Sequence, residues 1–153
     1  MSNTIVRPAE REDFAAIKGL LQELIEAVQD EEFFDIDYAM QNCGAMVDDA
    51  TSYIIVAEER NAVVGFINFT TRKTLVHRGP SGLIDELVVA KTHRGRGVGH
   101  RLVEAAVSRC RELGCSEIEV STETSNMNAR RFYVSCGFKE DAVLLELHFD
   151  ATD

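Results

Sequence analysis

The sequence predicts an α/β fold: a mixed central sheet, antiparallel in its N-terminal part and parallel around one central helix, with helices on both faces. Three observations predict it. Residues 53–58 and 63–70 are two short β-rich runs separated by a turn containing Asn61, which reads as an antiparallel hairpin. Residues 83–102, LIDELVVAKTHRGRGVGHRL, read as strand, glycine-rich loop and helix. Beyond them a strand at 117–122, a helix at 126–136 and a last strand at 143–149 alternate, which is the pattern of a locally parallel sheet.

The remaining elements follow in order. Residues 4–7 form a short strand that ends at Pro8. Phe14, Ile17, Leu21, Leu24, Ile25 and Val28 recur at helical spacing, so a helix spans 10–29. The acidic run 30–37 breaks that period, and a second helix covers 36–47. Residues 72–82 are a polar loop with Lys73, His77, Arg78, Gly79 and Pro80. In the central helix Val98, Leu102, Ala106, Cys110 and Leu113 make one apolar stripe, and Gly114 stops it. No repeat, linker or low-complexity segment interrupts the chain, so residues 1–153 read as one domain.

Composition narrows the function. The chain has 153 residues, enough to bury roughly two-thirds of its unfolded surface. No apolar run approaches the ~20 residues of a membrane span, and the first residues lack an apolar signal core, so a cytoplasmic protein without a membrane partner is expected. The formal charge of −10 argues against nucleic acid as a partner, because phosphate-backbone binding needs a basic surface. Cys43, Cys110, Cys115 and Cys136 form no Cys-x-x-Cys pair, and no histidine stands at ligand spacing from them, so free thiols and no metal are expected. A homodimer is compatible with the sequence.

The glycine-rich loop decides more. A helix N-terminus presents unpaired N–H groups and partial positive charge, and glycines let an anion approach them. The loop lacks the Lys-Ser or Lys-Thr of a nucleoside-triphosphate loop. It also lacks the third small residue of a dinucleotide loop, where Leu102 stands. Arg94, Gly97 and Gly99 fit R/Q-x-x-G-x-G/A in full. Further on, Asn126, Ala129, Phe132, Tyr133, Gly137 and Phe138 fit N-x-x-A-x-x-F/L-Y-x-x-x-G-F. On these two segments the chain resembles the GNAT superfamily of acetyl-coenzyme A-dependent N-acetyltransferases. The resemblance is specific from about residue 84 to 138.

That resemblance implies an enzyme with acetyl-coenzyme A as co-substrate and a small-molecule primary amine as acceptor. It implies that Arg94, Gly95, Arg96, Gly97, Val98, Gly99 and His100 hold the pyrophosphate. The strand at 83–89 would splay from its parallel neighbour, and the backbone of Leu87, Val88 and Val89 would bond the pantetheine arm. One freed N–H, of Val88 or Val89, would face the thioester carbonyl. Tyr133 would face the thioester sulfur, where a phenol can protonate the departing thiolate. Asn126 would contact the pantetheine or pyrophosphate arm, besides capping its own helix.

A general base is also needed, because most amines are ammonium ions at neutral pH. Asp85 and Glu86 are candidates, and strand alternation expects them on opposite faces. Glu86 is preferred for its reach and for sharing a face with Ile84 and Val88; Asp85, Glu119 and water stay open. The acceptor would enter past the acidic segment 30–38 and the basic stretch Arg72, Lys73 and Arg78. Small-amine members, including those acting on aminoalkylphosphonates, resemble the chain more closely. A protein N-terminus or lysine as acceptor, and a non-catalytic acyl-coenzyme A sensor, are the alternatives.

Overall fold

The structure is a computed structural model, and it describes residues 3–28 and 34–149. The chain clusters into two compact units, 1–120 and 121–153.

The first unit holds a five-stranded sheet in chain order, β1 (Ile5–Pro8), β2 (Ser52–Glu59), β3 (Ala62–Arg72), β4 (Ser81–Val89) and β5 (Glu117–Val120). The first four strands are antiparallel to their neighbours, and β4 runs parallel to β5. The β2–β3 turn places Arg60 and Asn61 at φ of 49° and 64°, the left-handed region that asparagine tolerates. Two helices, α1 (Phe14–Ala27) and α2 (Ile36–Val47), precede the hairpin. The carboxylate of Asp35 caps α2 by accepting from the N–H groups of Asp37 and Tyr38. Ile17 and Leu20 of α1 and Cys43 of α2 are buried with Val56, Phe66 and Val88 of the sheet, which defines one covered face.

The other face carries α3 (Val98–Glu112). Its stripe of Val98, Leu102, Val103, Ala106 and Cys110 is fully buried, and Val98, Leu102 and Val103 contribute about 1.5–3 kcal/mol each. A Cβ built on Gly65 of β3 would stand 3.2 Å from Leu102 Cδ1, and one on Gly82 of β4 would stand 2.6 Å from Cys110 Sγ. These two glycines therefore let α3 lie close on the sheet. Gly114, at φ 79°, ends α3, and the Cys115 N–H donates to the Cys110 carbonyl over it.

The second unit contains α4 (Met127–Ser135). Asn126 caps it, accepting from the Ala129 N–H at 3.1 Å. Gly137, at φ 101°, closes the other end, with the Phe138 N–H donating to the Tyr133 carbonyl at 3.1 Å. The expected strand at 143–149 does not form: these residues join no ladder, and Val143, Leu145, Leu147 and Phe149 are exposed. Alternating apolar residues are compatible with a strand, but a strand exists only through its hydrogen-bonding partner.

Candidate active site

Strand β4 is paired differently along its two edges. Toward β3 the ladder runs its whole length, from Arg72↔Ser81 to Gly65↔Val89. Toward β5 it covers only Ser81–Ile84, the last pair being Ile84↔Val120. Among the described residues, no strand pairs with the second edge of β4 beyond Ile84. The β5 ladder therefore stops at Ile84, and residues 85–89 have no strand partner on that side among the described residues.

Register shows which backbone groups reach that open edge. In an antiparallel pair, residues alternate between bonding the partner strand and pointing away from it. The Ala90 N–H donates to the Val64 carbonyl at 2.8 Å, so Ala90 and, two residues back, Val88 bond toward β3. Leu87 and Val89 then direct their N–H and C=O groups to the open edge. The Val89 carbonyl accepts from Arg94 Nε at 3.1 Å, which ties the loop to the strand end. Of the two N–H groups expected to face a bound thioester, that of Val88 is used by the ladder, and that of Val89 is the one directed outward. The side chain of Val88 lies in the α1 core instead.

The alternation expected at Asp85 and Glu86 does not hold. The β3 register passes from Asn68↔Glu86 to Phe69↔Ile84, so Asp85 is the extra residue of a bulge. Cross-strand partners share a face, so Glu86 lies on the Asn68 and Val88 side, the side of α1. Ile84 pairs with Phe69 and lies on the opposite side. Glu86 thus shares a face with Val88 as expected, but not with Ile84. Asp85 and Glu86 are both exposed. Asn68, which is only 6% exposed, accepts from the Glu86 N–H through Oδ1 at 2.9 Å.

The carboxyl groups respond to this setting. Burial of its carboxyl raises the pKa of Glu86; the Asn68 side chain opposes that, and the charge of Asp85 adds to it. Burial also raises Asp85. Water still reaches both residues. Glu119, on β5, is exposed and lies 3.4 Å from Ser81 Oγ, a hydrogen bond that gives it a local role.

The loop after β4 has the form an anion site needs. Lys91–His93 form one 3-10 turn, and Gly95 and Gly97 follow at φ 74° and 83°. Gly97 is the N-cap of α3 and supplies no side-chain cap, so no side chain competes for the first N–H groups of the helix. A Cβ built on Gly95 or Gly97 meets no heavy atom within 4 Å, so the space above the loop is open. Arg94, Arg96 and His100 are exposed around it, Val98 is buried and Gly99 half-buried. These features fit a diphosphate.

Asn126 and Tyr133 belong to the second unit. The Tyr133 ring meets Phe132 and Phe138 edge-on, with centroids 5.1 and 5.6 Å away. Burial, with a smaller contribution from Cys136, pushes its phenol up to about 12. No hydrogen bond engages the Tyr133 hydroxyl among the described residues, so it is available to a ligand.

Part of the expected acceptor surface, residues 30–33, lies outside the described residues. Of the rest, Asp35 is occupied as the cap of α2, and Arg72, Lys73 and Arg78 are exposed. Among the described residues no group of three or more His, Cys, Asp or Glu side chains could hold a metal ion. No described helix is long and apolar enough to cross a membrane.

Comparison with known proteins decides the family. Residues 14–138 match the acetyltransferase (GNAT) family. The chain belongs to that family. It is 30% identical over 135 residues to the aminoalkylphosphonate N-acetyltransferase of Salmonella typhimurium, covering 88% of this chain and 84% of that one. It is 27% identical over 143 residues to the glucosamine 6-phosphate N-acetyltransferase of Arabidopsis thaliana, covering 92% and 91%. A solved aminoglycoside N-acetyltransferase in complex with coenzyme A superimposes with a TM-score of 0.85 over 99% of this chain and 97% of that one; at 18% identity it shows the fold. The homologues place this GNAT member among the acetyl-coenzyme A-dependent N-acetyltransferases that act on amines.

Proposed function

We propose that the protein transfers the acetyl group of acetyl-coenzyme A to the primary amine of a small molecule, by direct attack in a ternary complex. The observation that carries this reading is the β4 edge left open past Ile84, running straight into the glycine loop and the N-terminus of α3. An extended pantetheine arm can add to that edge as a strand would, while the loop N–H groups and Arg94 or Arg96 meet the pyrophosphate.

Each residue then has one task. The outward N–H of Val89 donates to the thioester oxygen as charge develops there, a contribution of about 3 kcal/mol in other acyl transfers. Glu86, with its raised carboxyl, takes the proton of the attacking amine, directly or through water. Tyr133 gives a proton to the leaving sulfur; with its phenol near 12 it stays protonated throughout the neutral range. Asn126 orients the coenzyme arm beside its capping role. At Cys43, Cys110 and Cys136 a covalent acetyl-enzyme is disfavoured, because burial raises these thiols and leaves them poorly nucleophilic.

The acceptor class rests on the relatives. The two named above act on an aminoalkylphosphonate and on glucosamine 6-phosphate, each an amine that also carries a phosphorus oxyanion. We infer an acceptor of that kind, with Arg72, Lys73 or Arg78 meeting the anion. The test is an initial-rate screen of thiol release with a panel of aminoalkylphosphonates, amino sugar phosphates, uncharged amines and peptides. Intersecting double-reciprocal lines with an amine phosphonate or phosphate support the reading. Turnover confined to peptides would move the acceptor to a protein. Tight acetyl-coenzyme A binding with no thiol release on any amine would make the protein a sensor.

A further inference from the structure

Strand β3 reads VVGFINFT through its buried middle, and Asn68 is the one amide side chain in that run. A buried amide is costly unless its donor and acceptor are both used. The structure uses the acceptor on Glu86. Asn68 Oδ1 accepts from the Glu86 main-chain N–H at 2.9 Å, and the Asn68 side chain is also what opposes the rise that burial gives the Glu86 carboxyl. This bond lies beside the register shift that leaves Asp85 as the bulge residue. With the oxygen committed to the N–H, the amide NH2 is the part left for the carboxylate of this cross-strand neighbour.

We propose that Asn68 is the positioning residue for Glu86. Its oxygen fixes the bulge that turns Glu86 out of the strand alternation, and its amide steadies the ionised carboxylate. The inference rests on the reading of Glu86 as the base, but its geometry does not.

Other titratable groups in reach of this face are few. On β4 itself there is Asp85, whose charge is felt by Glu86. From β5, Glu117 and Glu119 share the face by register with Ser81 and Leu83. From α1 comes Glu23, which accepts from the Lys91 N–H just past β4. From β3, Arg72 shares the face by register with Ser81, and the cross-strand neighbour of Glu86 is Asn68, which is neutral. A substitution there changes the environment of Glu86 without removing a charge.

Two variants divide the two bonds. Asn68→Ser keeps a neutral oxygen for the N–H and removes the amide donor. Asn68→Asp keeps an acceptor and sets a like charge against the carboxylate. The first readout is the titration of the Glu86 side-chain carboxyl by NMR in the ligand-free protein, with the amide spectrum confirming the fold. Both variants should shift the Glu86 midpoint upward, Asn68→Asp more than Asn68→Ser. The second readout is the pH profile of kcat/KM. Its acidic limb should move up in parallel, with kcat at neutral pH down roughly tenfold, the scale of one hydrogen bond to a charged group, and the KM for acetyl-coenzyme A unchanged. A Glu86 titration that stays at its wild-type midpoint in whichever variant folds overturns the proposal. A shifted Glu86 titration with an unmoved acidic limb leaves Asn68 as the positioning residue and removes Glu86 from the role of base.

Discussion

Gly97 is where backbone conformation and ligand binding meet, and its replacement separates them. Gly97 sits at φ 83° as the N-cap of α3. A Cβ there meets nothing within 4 Å, so Gly97→Ala costs no packing. What it costs is the left-handed backbone, about 1–2 kcal/mol for a residue with a Cβ. For a chain of this length 1 kcal/mol moves Tm by about 2–4 °C, so the free protein should melt about 2–8 °C lower. Binding is a second quantity. At a ligand concentration of 100 times Kd, acetyl-coenzyme A stabilises the wild type by about 2.7 kcal/mol, or about 5–10 °C. The new methyl stands over the loop where the pyrophosphate is placed, so that ligand-dependent rise should shrink in Gly97→Ala and vanish in Gly97→Val, whose branched side chain fills more of the same space. Differential scanning fluorimetry with and without acetyl-coenzyme A reads both effects. A Gly97→Val protein that melts low when free but gains the full wild-type rise with ligand would refute the placement of the pyrophosphate.

Tyr133→Phe keeps the edge-on ring contacts with Phe132 and Phe138, so stability should hold while kcat falls on the order of 10²-fold. Because an acid works protonated and its phenol lies near 12, Tyr133 should set no basic limb below about pH 10 in the wild-type profile. Glu86→Gln should lower kcat/KM at neutral pH and recover part of it at high pH, where more amine is neutral; the wild-type acidic limb should lie above the usual carboxylate range, since burial raises Glu86. Far from the site, Arg7 grips Asp13 with two bonds of 2.7 and 2.9 Å and holds its carboxyl below the usual range. A depressed carboxyl stabilises the fold above its unfolded pKa of about 3.9 and loses that contribution as pH falls through the folded value. Asp13→Asn should therefore cost about 2 kcal/mol by urea unfolding at pH 7, and the difference from wild type should fade as pH falls through the depressed folded value.

Much of this site was legible in the chain. The loop of Arg94, Gly97 and Gly99 falls where its pattern put it, and α2 has the expected bounds 36–47. The cap at Asn126 and the stop at Gly137 were readable because caps and positive φ are local demands met by particular residue types. The bulge at Asp85 was not readable, because a bulge belongs to the pairing of two strands and nothing within LIDELVV encodes its partner. One signal did exist: an asparagine inside the apolar run of β3 had to be paired with something. The exposed segment 143–149 failed for the same reason in reverse, its alternation being read as a strand before any partner was known.

The central claim is that the open edge of β4 receives the coenzyme arm as an added strand. Amide hydrogen exchange at Leu87, Val88 and Val89, read by NMR with and without acetyl-coenzyme A, tests it residue by residue. Val88 should exchange slowly in both states, because β3 already holds it. Leu87 and Val89 should exchange fast in the free protein, and Val89 at least should become strongly protected when acetyl-coenzyme A binds. Saturating acetyl-coenzyme A that leaves the exchange of Leu87 and Val89 unchanged would contradict the account.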